Sequence, residues 1–376
     1  MSREYLPYFK PVVDEYAIAE VVRVLRSGWL SNGPKVKEFE VALSQYFEGR
    51  PVRVFNSGTS SLEVGLRLAG IRQGDEVITT PLTWVATANV ILAVGATPVF
   101  ADIDPKTRNL DMEKVGKAIT PRTRAIIPVH LAGRPVDMNR LYQIAKDHNI
   151  RVIEDAAQAI GSTWEGKRIG SFGDIASFSF QATKNITTVD GGCLVLNDES
   201  EAVLAEKLRF QGMTRHSFDS MEVDVLGGKL NMTEIAATIG LCQLKDIGTI
   251  TTRRRVLAQA YFDYLKPNFE NRLGAALPLT DAANCNWHMF QIVLPDDVSR
   301  ASFQERMHTL HQIGVGCHYP SIHLFKLYRD RGFREGMFPI SERIGRQIAT
   351  LPLFPSMLEA DVERVAKAVI SVLQQR

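Results

Sequence analysis

Cysteine is scarce in this chain of 376 residues: Cys193, Cys242, Cys285 and Cys317 stand far apart. Their spacing fits neither a zinc site nor a disulfide framework, and a reducing cytoplasm is the expected setting. Net charge is nearly absent, at +2 from 44 Lys and Arg against 42 Asp and Glu. That removes the basic footprint expected of a nucleic-acid binder. Long apolar runs are missing too. The longest, Val90 to Phe100, is broken by Gly95 and Pro98 and is too short to span a bilayer. The N-terminus, Met1 to Pro7, carries no apolar stretch of signal-peptide type, so an intracellular protein without a membrane span is expected. Repeats, low-complexity tracts and Pro/Gly linkers are also lacking.

What is present is an ordinary globular balance, 45% hydrophobic and 23% charged, at a length that suggests two domains. From residue 52 onward, short β-rich runs alternate with amphipathic stretches. Val52–Asn56, Glu76–Thr80, Thr97–Ile103, Ala125–Val129 and Arg151–Asp155 read as strands. Leu62–Ala69, Thr87–Val94, Met112–Ile119 and Met138–His148 carry helical spacing between them. This alternation predicts an α/β domain with a mostly parallel sheet, helices on both faces, and ligands beyond the carboxyl ends of the strands. Ile175–Phe180 and Cys193–Leu196 extend the sheet, and two helices, Glu15–Arg26 and Lys35–Phe47, precede it. Beyond a soft boundary, the pattern becomes a smaller α+β domain. The expected division is 1–247 and 248–376, the second part containing helices at Ile250–Leu265 and Ala301–Ile313, strands at Met289–Leu294 and Val315–His318, and terminal helices near Ile340–Ala349 and Asp361–Leu373.

Three constellations carry chemistry. Asn56-Ser57-Gly58-Thr59-Ser60-Ser61 lies between a strand and a helix. Free backbone N–H groups, the dipole of a helix N-terminus and the Thr59 and Ser60 hydroxyls would suit a phosphate; a plain N-cap is the other reading. The segment is neither a Walker motif nor a dinucleotide fingerprint. Asp155, in Glu154-Asp155-Ala156-Ala157-Gln158, sits at the carboxyl end of a strand. A carboxylate there can keep a pyridine nitrogen protonated, with an N-cap or a metal ligand as alternatives. Lys184 closes the apolar run from Ser177, where its ammonium must find a partner, shift its pKa, or form a Schiff base. A solvated lysine just past a strand is the plainer alternative. Together the three supply the anchors of pyridoxal 5′-phosphate (PLP). Trp84, placed at the start of a helix near the same sheet edge, could cover the ring or simply pack in the core.

With these segments in view, the chain resembles the DegT/DnrJ/EryC1/StrS sugar aminotransferases, which have the type I fold of PLP enzymes. The resemblance runs from Ser27–Pro34 through Asn56–Ser61, Gly74–Ile78, Pro128–Gly133, Ile153–Gln158, Phe178–Lys184 and Gly191-Gly192. It continues through Leu230–Glu234, His318-Tyr319-Pro320 with His323, and Leu351–Pro355. Leu82–Thr87 and Lys184–Thr187 look most like enzymes that aminate 4-keto sugar nucleotides, such as the 4-amino-4-deoxyarabinose branch. The resemblance implies that Lys184 bonds the cofactor covalently, Asp155 pairs with the ring nitrogen and Gln158, where many relatives have histidine, contacts the ring hydroxyl. It places Gly58, Thr59, Ser60 and Ser179 at the phosphate and Trp84 on the ring. Asn231 would reach the cofactor of the other subunit in a homodimer, and His318 and His323 would lie near the sugar nucleotide, with a surface or packing role for either as the other reading. Asp190 and Ser60 depart from the residues usual in relatives, without removing a group the chemistry needs.

The implied reaction moves an amino group from L-glutamate to a keto-sugar nucleotide for surface polysaccharide or lipopolysaccharide, the cofactor cycling through pyridoxamine phosphate (PMP). Ping-pong kinetics follow. The rivals are a PLP-dependent sugar dehydratase, which in this family replaces the lysine by histidine, and a non-catalytic regulatory member that kept the fold.

Overall fold

The computed structural model describes residues 4–215, 217, 219–269, 273–280 and 284–375. Short apolar runs form the strands β1 (Val52–Phe55), β2 (Glu76–Thr79), β3 (Thr97–Phe100), β4 (Thr123–Ile126) and β5 (Arg151–Asp155). After a small hairpin, β6 (Thr163–Trp164) and β7 (Lys167–Arg168), come β8 (Ile175–Ser179) and β9 (Gly192–Val195). Seven of these make one sheet in the order β1-β9-β8-β5-β4-β2-β3. β9 runs antiparallel to both β1 and β8, and the other pairings are parallel. Parallel strands need crossovers and are buried on both faces, which is why these runs are short and apolar. Their carboxyl ends therefore share one edge, joined there by the amino end of β9.

Two apolar layers sandwich the sheet. One contains Phe39, Phe47, Phe178 and Phe180, and the other Leu62, Leu66, Ile91 and Leu208. Under the sheet's centre, Glu154 is fully buried. It accepts hydrogen bonds from His130 Nε2 (3.0 Å) and Tyr142 Oη (2.6 Å), so β5 is pinned beside Asp155. The helix Pro34–Tyr46 is capped from far along the chain: Glu234 accepts from the backbone N–H groups of Gly33, Lys35 and Val36 at 2.9–3.0 Å. Because Pro34 and Gly33 offer no side-chain cap, this carboxylate satisfies the helix's amides instead.

A separate core gathers Leu257, Tyr261, Phe290, Phe303, Val365 and Val369, with Leu6 from the N-terminal segment. Its strands are β12 (Phe290–Val293) and β13 (Ile348–Leu351), paired antiparallel, and a further hairpin is made of β10 (Met213–Arg215) and β11 (Met221–Val223). The long helix Ile247–Asn268 and the terminal helix Glu359–Gln374 pack against each other here.

Several expectations are corrected. Val315–His318 is not a strand, and Gly316 makes only a lone bridge to Thr350. The helix expected to run to Ala349 ends at Gln347, because Ile348–Leu351 is β-rich and pairs with β12. The strand before Lys184 stops at Ser179, leaving the lysine in a turn. The patternless stretch 215–228 holds β11, although His216 and Phe218 lie outside the described residues. Among the described residues, no helix is long and apolar enough to cross a membrane.

Candidate active site

The carboxyl edge of the sheet brings the expected residues together. Ser57 caps the helix Gly58–Leu68, its Oγ accepting from Ser60 N at 3.0 Å. Gly58 lies so close to Ser179 that a Cβ there would stand 2.7 Å from the Ser179 Cβ; one on Gly192 would stand 2.6 Å from Gly58 N. The glycines therefore let three backbones converge on a helix N-terminus, with the Ser179 hydroxyl beside it. Ser60 Oγ donates to Asn56 Oδ1 at 2.8 Å, which shapes the rim of this cradle.

Asp155 ends β5. Its Oδ2 accepts from Thr87 Oγ1 at 2.7 Å and its Oδ1 from Ala157 N at 3.2 Å. Two donors hold a buried carboxylate in place, a geometry that also suits a protonated ring nitrogen. Gln158 is buried, and its Oε1 accepts from Ala132 N at 2.7 Å. That bond fixes the amide's orientation and leaves Nε2 as the outward donor, the group needed for a ring hydroxyl oxygen. Trp84 does not begin the helix, which starts at Ala86, but stands in the turn before it. It is 59% exposed, high for tryptophan, with its ring 6.0 Å from that of Tyr319.

Lys184 sits in a turn closed by its own N–H bond to Gln181 O at 2.8 Å. Loss of hydration drives its ammonium down to about 8, against the opposing pull of the Asp155 charge. A lysine poised there is partly neutral at working pH and able to act as a nucleophile. Lys184 and Asn185 form part of the wall of a cavity of about 430 Å³, closed by Phe9, Pro11, Arg254 and Phe354. Gly58, Asp155, Gln158 and Ser179 do not line it, so it adjoins the cradle from the side of the lysine's turn.

The two expected substrate histidines part company. His318 stays at the site: its Nδ1 lies 2.9 Å from Thr350 Oγ1, and burial, then the charge of Lys184, lowers it to about 4. His323 does not. It is fully buried, with Nε2 3.0 Å from Glu342 Oε1 and its ring 4.8 Å from that of Phe338. Its loop folds into an aromatic cluster with Phe100 and Tyr328, which removes it from the cleft. Asn231 donates Nδ2 to Asn32 Oδ1 (2.8 Å) and Ser31 Oγ (3.1 Å), and its buried Oδ1 has no partner among the described residues.

Sequence reasoning passed over Thr87, Tyr319 and His288. Thr87 stood in a quoted segment, and a buried acid at a strand end calls for a donor from the next loop. Burial raises the Tyr319 hydroxyl well above its usual value, with a further push from Asp155. His288 lies between Trp287 and Met289 just ahead of β12, an apolar setting that signals a buried ring.

A lysine and a carboxylate above a glycine-lined anion cradle, at the edge of an α/β sheet, define an enzyme of the aminotransferase class. The chain belongs to the DegT/DnrJ/EryC1/StrS aminotransferase family, which it matches over residues 11–370. It is 37% identical to the spore coat polysaccharide biosynthesis protein SpsC of Bacillus subtilis, over 98% of this chain and 97% of that protein. Its fold is similar to that of Helicobacter pylori PseC, an aminotransferase involved in the biosynthesis of pseudoaminic acid. The TM-score is 0.91 at 29% identity, covering 99% of this chain and 100% of that one. Spr1654 of Streptococcus pneumoniae, solved in a PLP form, superposes with a TM-score of 0.91 at 31% identity over 99% of each chain. Its PMP form gives 0.92 at 30%, over 98% and 99%. The residues gathered here suit that cofactor: a cradle that a Cβ would fill, an outward amide donor at Gln158, and a lysine held below its usual range.

Proposed function

We propose that this aminotransferase uses PLP to move an amino group from L-glutamate to a keto-sugar nucleotide, a 4-keto-6-deoxy or 4-keto-pentose sugar, for surface polysaccharide. The observation that supports this most is the convergence of Lys184, Asp155, Gln158 and the Gly58–Ser179 cradle on one sheet edge. When bound, the cofactor supplies an electron-accepting ring and an aldehyde that carries the amino group. Gly58, Thr59, Ser60 and Ser179 hold its phosphate, Asp155 its ring nitrogen and Gln158 Nε2 its ring hydroxyl, while Trp84 covers a face. Lys184 would hold it through Nζ, and its neutral amine would carry a proton to and from the donor's α-carbon. His318 stays uncharged near the sugar. The two cores divide near residue 247 into the large and small domains. The active unit is a cytoplasmic homodimer in which Asn231 reaches the second copy's phosphate, exchanging its Nδ2 bonds to Ser31 and Asn32 for that contact.

The absorbance spectrum of the purified, cofactor-loaded protein tests the proposal. A band in the near-ultraviolet or visible should shift toward the PMP form on adding glutamate; the absence of a shift with every amino donor tried would sink the reading. A screen of keto-sugar nucleotides against the PMP form then identifies the acceptor, and parallel-line kinetics should accompany turnover.

A further inference from the structure

His288 has no part in the function just proposed, yet it lies one hydrogen bond from the turn that carries the lysine. Asn185, directly after Lys184, donates Nδ2 to Asn286 O at 3.2 Å, which leaves its Oδ1 facing His288 Nδ1 at 3.3 Å. An amide oxygen only accepts, so the ring's proton belongs on Nδ1 and Nε2 keeps a bare lone pair. Asn286 holds the arrangement still. Its Nδ2 donates to Gln158 O (2.9 Å) and Ile160 O (2.7 Å), its Oδ1 accepts from His288 N (2.9 Å), and its N–H donates to Ser162 Oγ (3.1 Å). One fully buried residue joins the Gln158 loop and the His288 backbone through its side chain, and the lysine's turn through its own carbonyl.

The ring has every reason to stay uncharged. Burial, then the charges of Lys184 and Arg254 and the neighbouring His318, push it well below the usual histidine range. It walls a cavity of about 30 Å³ with Tyr8, Thr183, His318 and Tyr319. That is about the volume of one water, in surroundings polar enough to hold it.

We propose that His288 is a positioning residue for Lys184: its Nδ1–H holds Asn185 Oδ1 and so fixes the turn that keeps the lysine away from water. The inference rests on Lys184 being the cofactor lysine, but its test needs no turnover. In the cofactor-free full chain, the reductive methylation rate of Lys184 is followed against pH by mass spectrometry. His288→Phe keeps the ring's bulk and removes both hydrogen-bonding atoms. The turn then loosens, the ammonium regains water, its midpoint rises by about half a pH unit, and labelling near neutral pH slows roughly two- to threefold. His288→Gln, whose amide can donate to Asn185, should restore the wild-type rate. Unchanged labelling in His288→Phe, or an equal shift in His288→Gln, overturns the proposal.

If His288→Phe does not fold, nitrogen-15 spectra of the histidine-labelled wild-type chain decide the matter. A neutral ring with its proton on Nδ1 supports the proposal; a proton on Nε2, or a charged ring near neutral pH, refutes it. A glutamate test that fails while the labelling result holds would strike the aminotransferase reading and not the coupling of His288 to Lys184.

Discussion

Replacing Lys184 by Met should make the cofactor-free protein more stable at neutral pH, although it abolishes turnover. The ammonium falls from 10.5 in the open chain to about 8 in the fold, because burial removes its water. At about 1.4 kcal/mol per tenfold change, that difference amounts to roughly 3 kcal/mol against the charged form. The lysine is only half-buried and borders a cavity wide enough for water, so screening reduces the figure to roughly 1–2 kcal/mol. Methionine keeps the apolar stem and carries no charge. The sign follows from proton counting: between the two values the folded chain binds fewer protons than the unfolded one, so wild-type stability rises with pH across that window. The advantage of Lys184→Met is therefore complete below about pH 8 and should shrink to roughly a half or less by about pH 10. Urea denaturation of both cofactor-free chains at about pH 7 and pH 10 measures it. A variant no more stable than wild type at the lower pH, or a gain independent of pH, would refute the claim that the fold holds this ammonium under strain.

Gly58→Ala puts a Cβ 2.7 Å from the Ser179 Cβ. The cradle must open, and cofactor affinity by equilibrium dialysis should fall about 100-fold, since about 3 kcal/mol of overpacking is at stake; an unchanged Kd would remove the phosphate from this cradle. Glu234→Ala strips the acceptor from three backbone amides of the helix Pro34–Tyr46 and should cost about 3 kcal/mol in urea melts, against under about 1 kcal/mol if the contacts are incidental. His318, at about 4 in the fold, remains neutral at working pH. Its depressed value makes the fold lose stability as pH falls from about 6.5 toward 4, a loss that should be smaller in His318→Gln when the two are melted side by side.

The parallel strands were legible because a strand buried on both faces must be a short apolar run, and β1, β2 and β5 start where the residue pattern starts. β9 was legible as a strand but not as the antiparallel insert between β1 and β8, since direction leaves no mark on four apolar residues. Ile348–Leu351 followed directly on an amphipathic helix, and its pairing with β12 comes from a partner more than fifty residues away. At the site, Lys184 and Asp155 stood out because one follows a strand, the other ends one, and each carries a charge unusual there. For His323 the sequence left a substrate role and a packing role open. A loop histidine shows its chemistry in the sequence, but only the folded chain shows that Glu342 and Phe338 already enclose it.

That contrast extends to how charge is handled inside the protein. Away from the sheet edge, several buried charged groups meet matching partners: Glu154 with His130 and Tyr142, Glu234 with three amides, Arg209 with Glu40, and Asp102 with Ser341 and Ile340. At the edge the pattern reverses. Lys184 is lowered by burial and His318 is kept neutral, while Trp84 lies open and Asn231 Oδ1 goes without a partner among the described residues. A fold able to satisfy Glu154 so fully could have paired this lysine too. Instead Asp155, the nearest carboxylate, is held by Thr87 and Ala157 and does not close an ion pair with it. Such a pairing would stabilise the ammonium and suppress the amine that the proposed Schiff base would require.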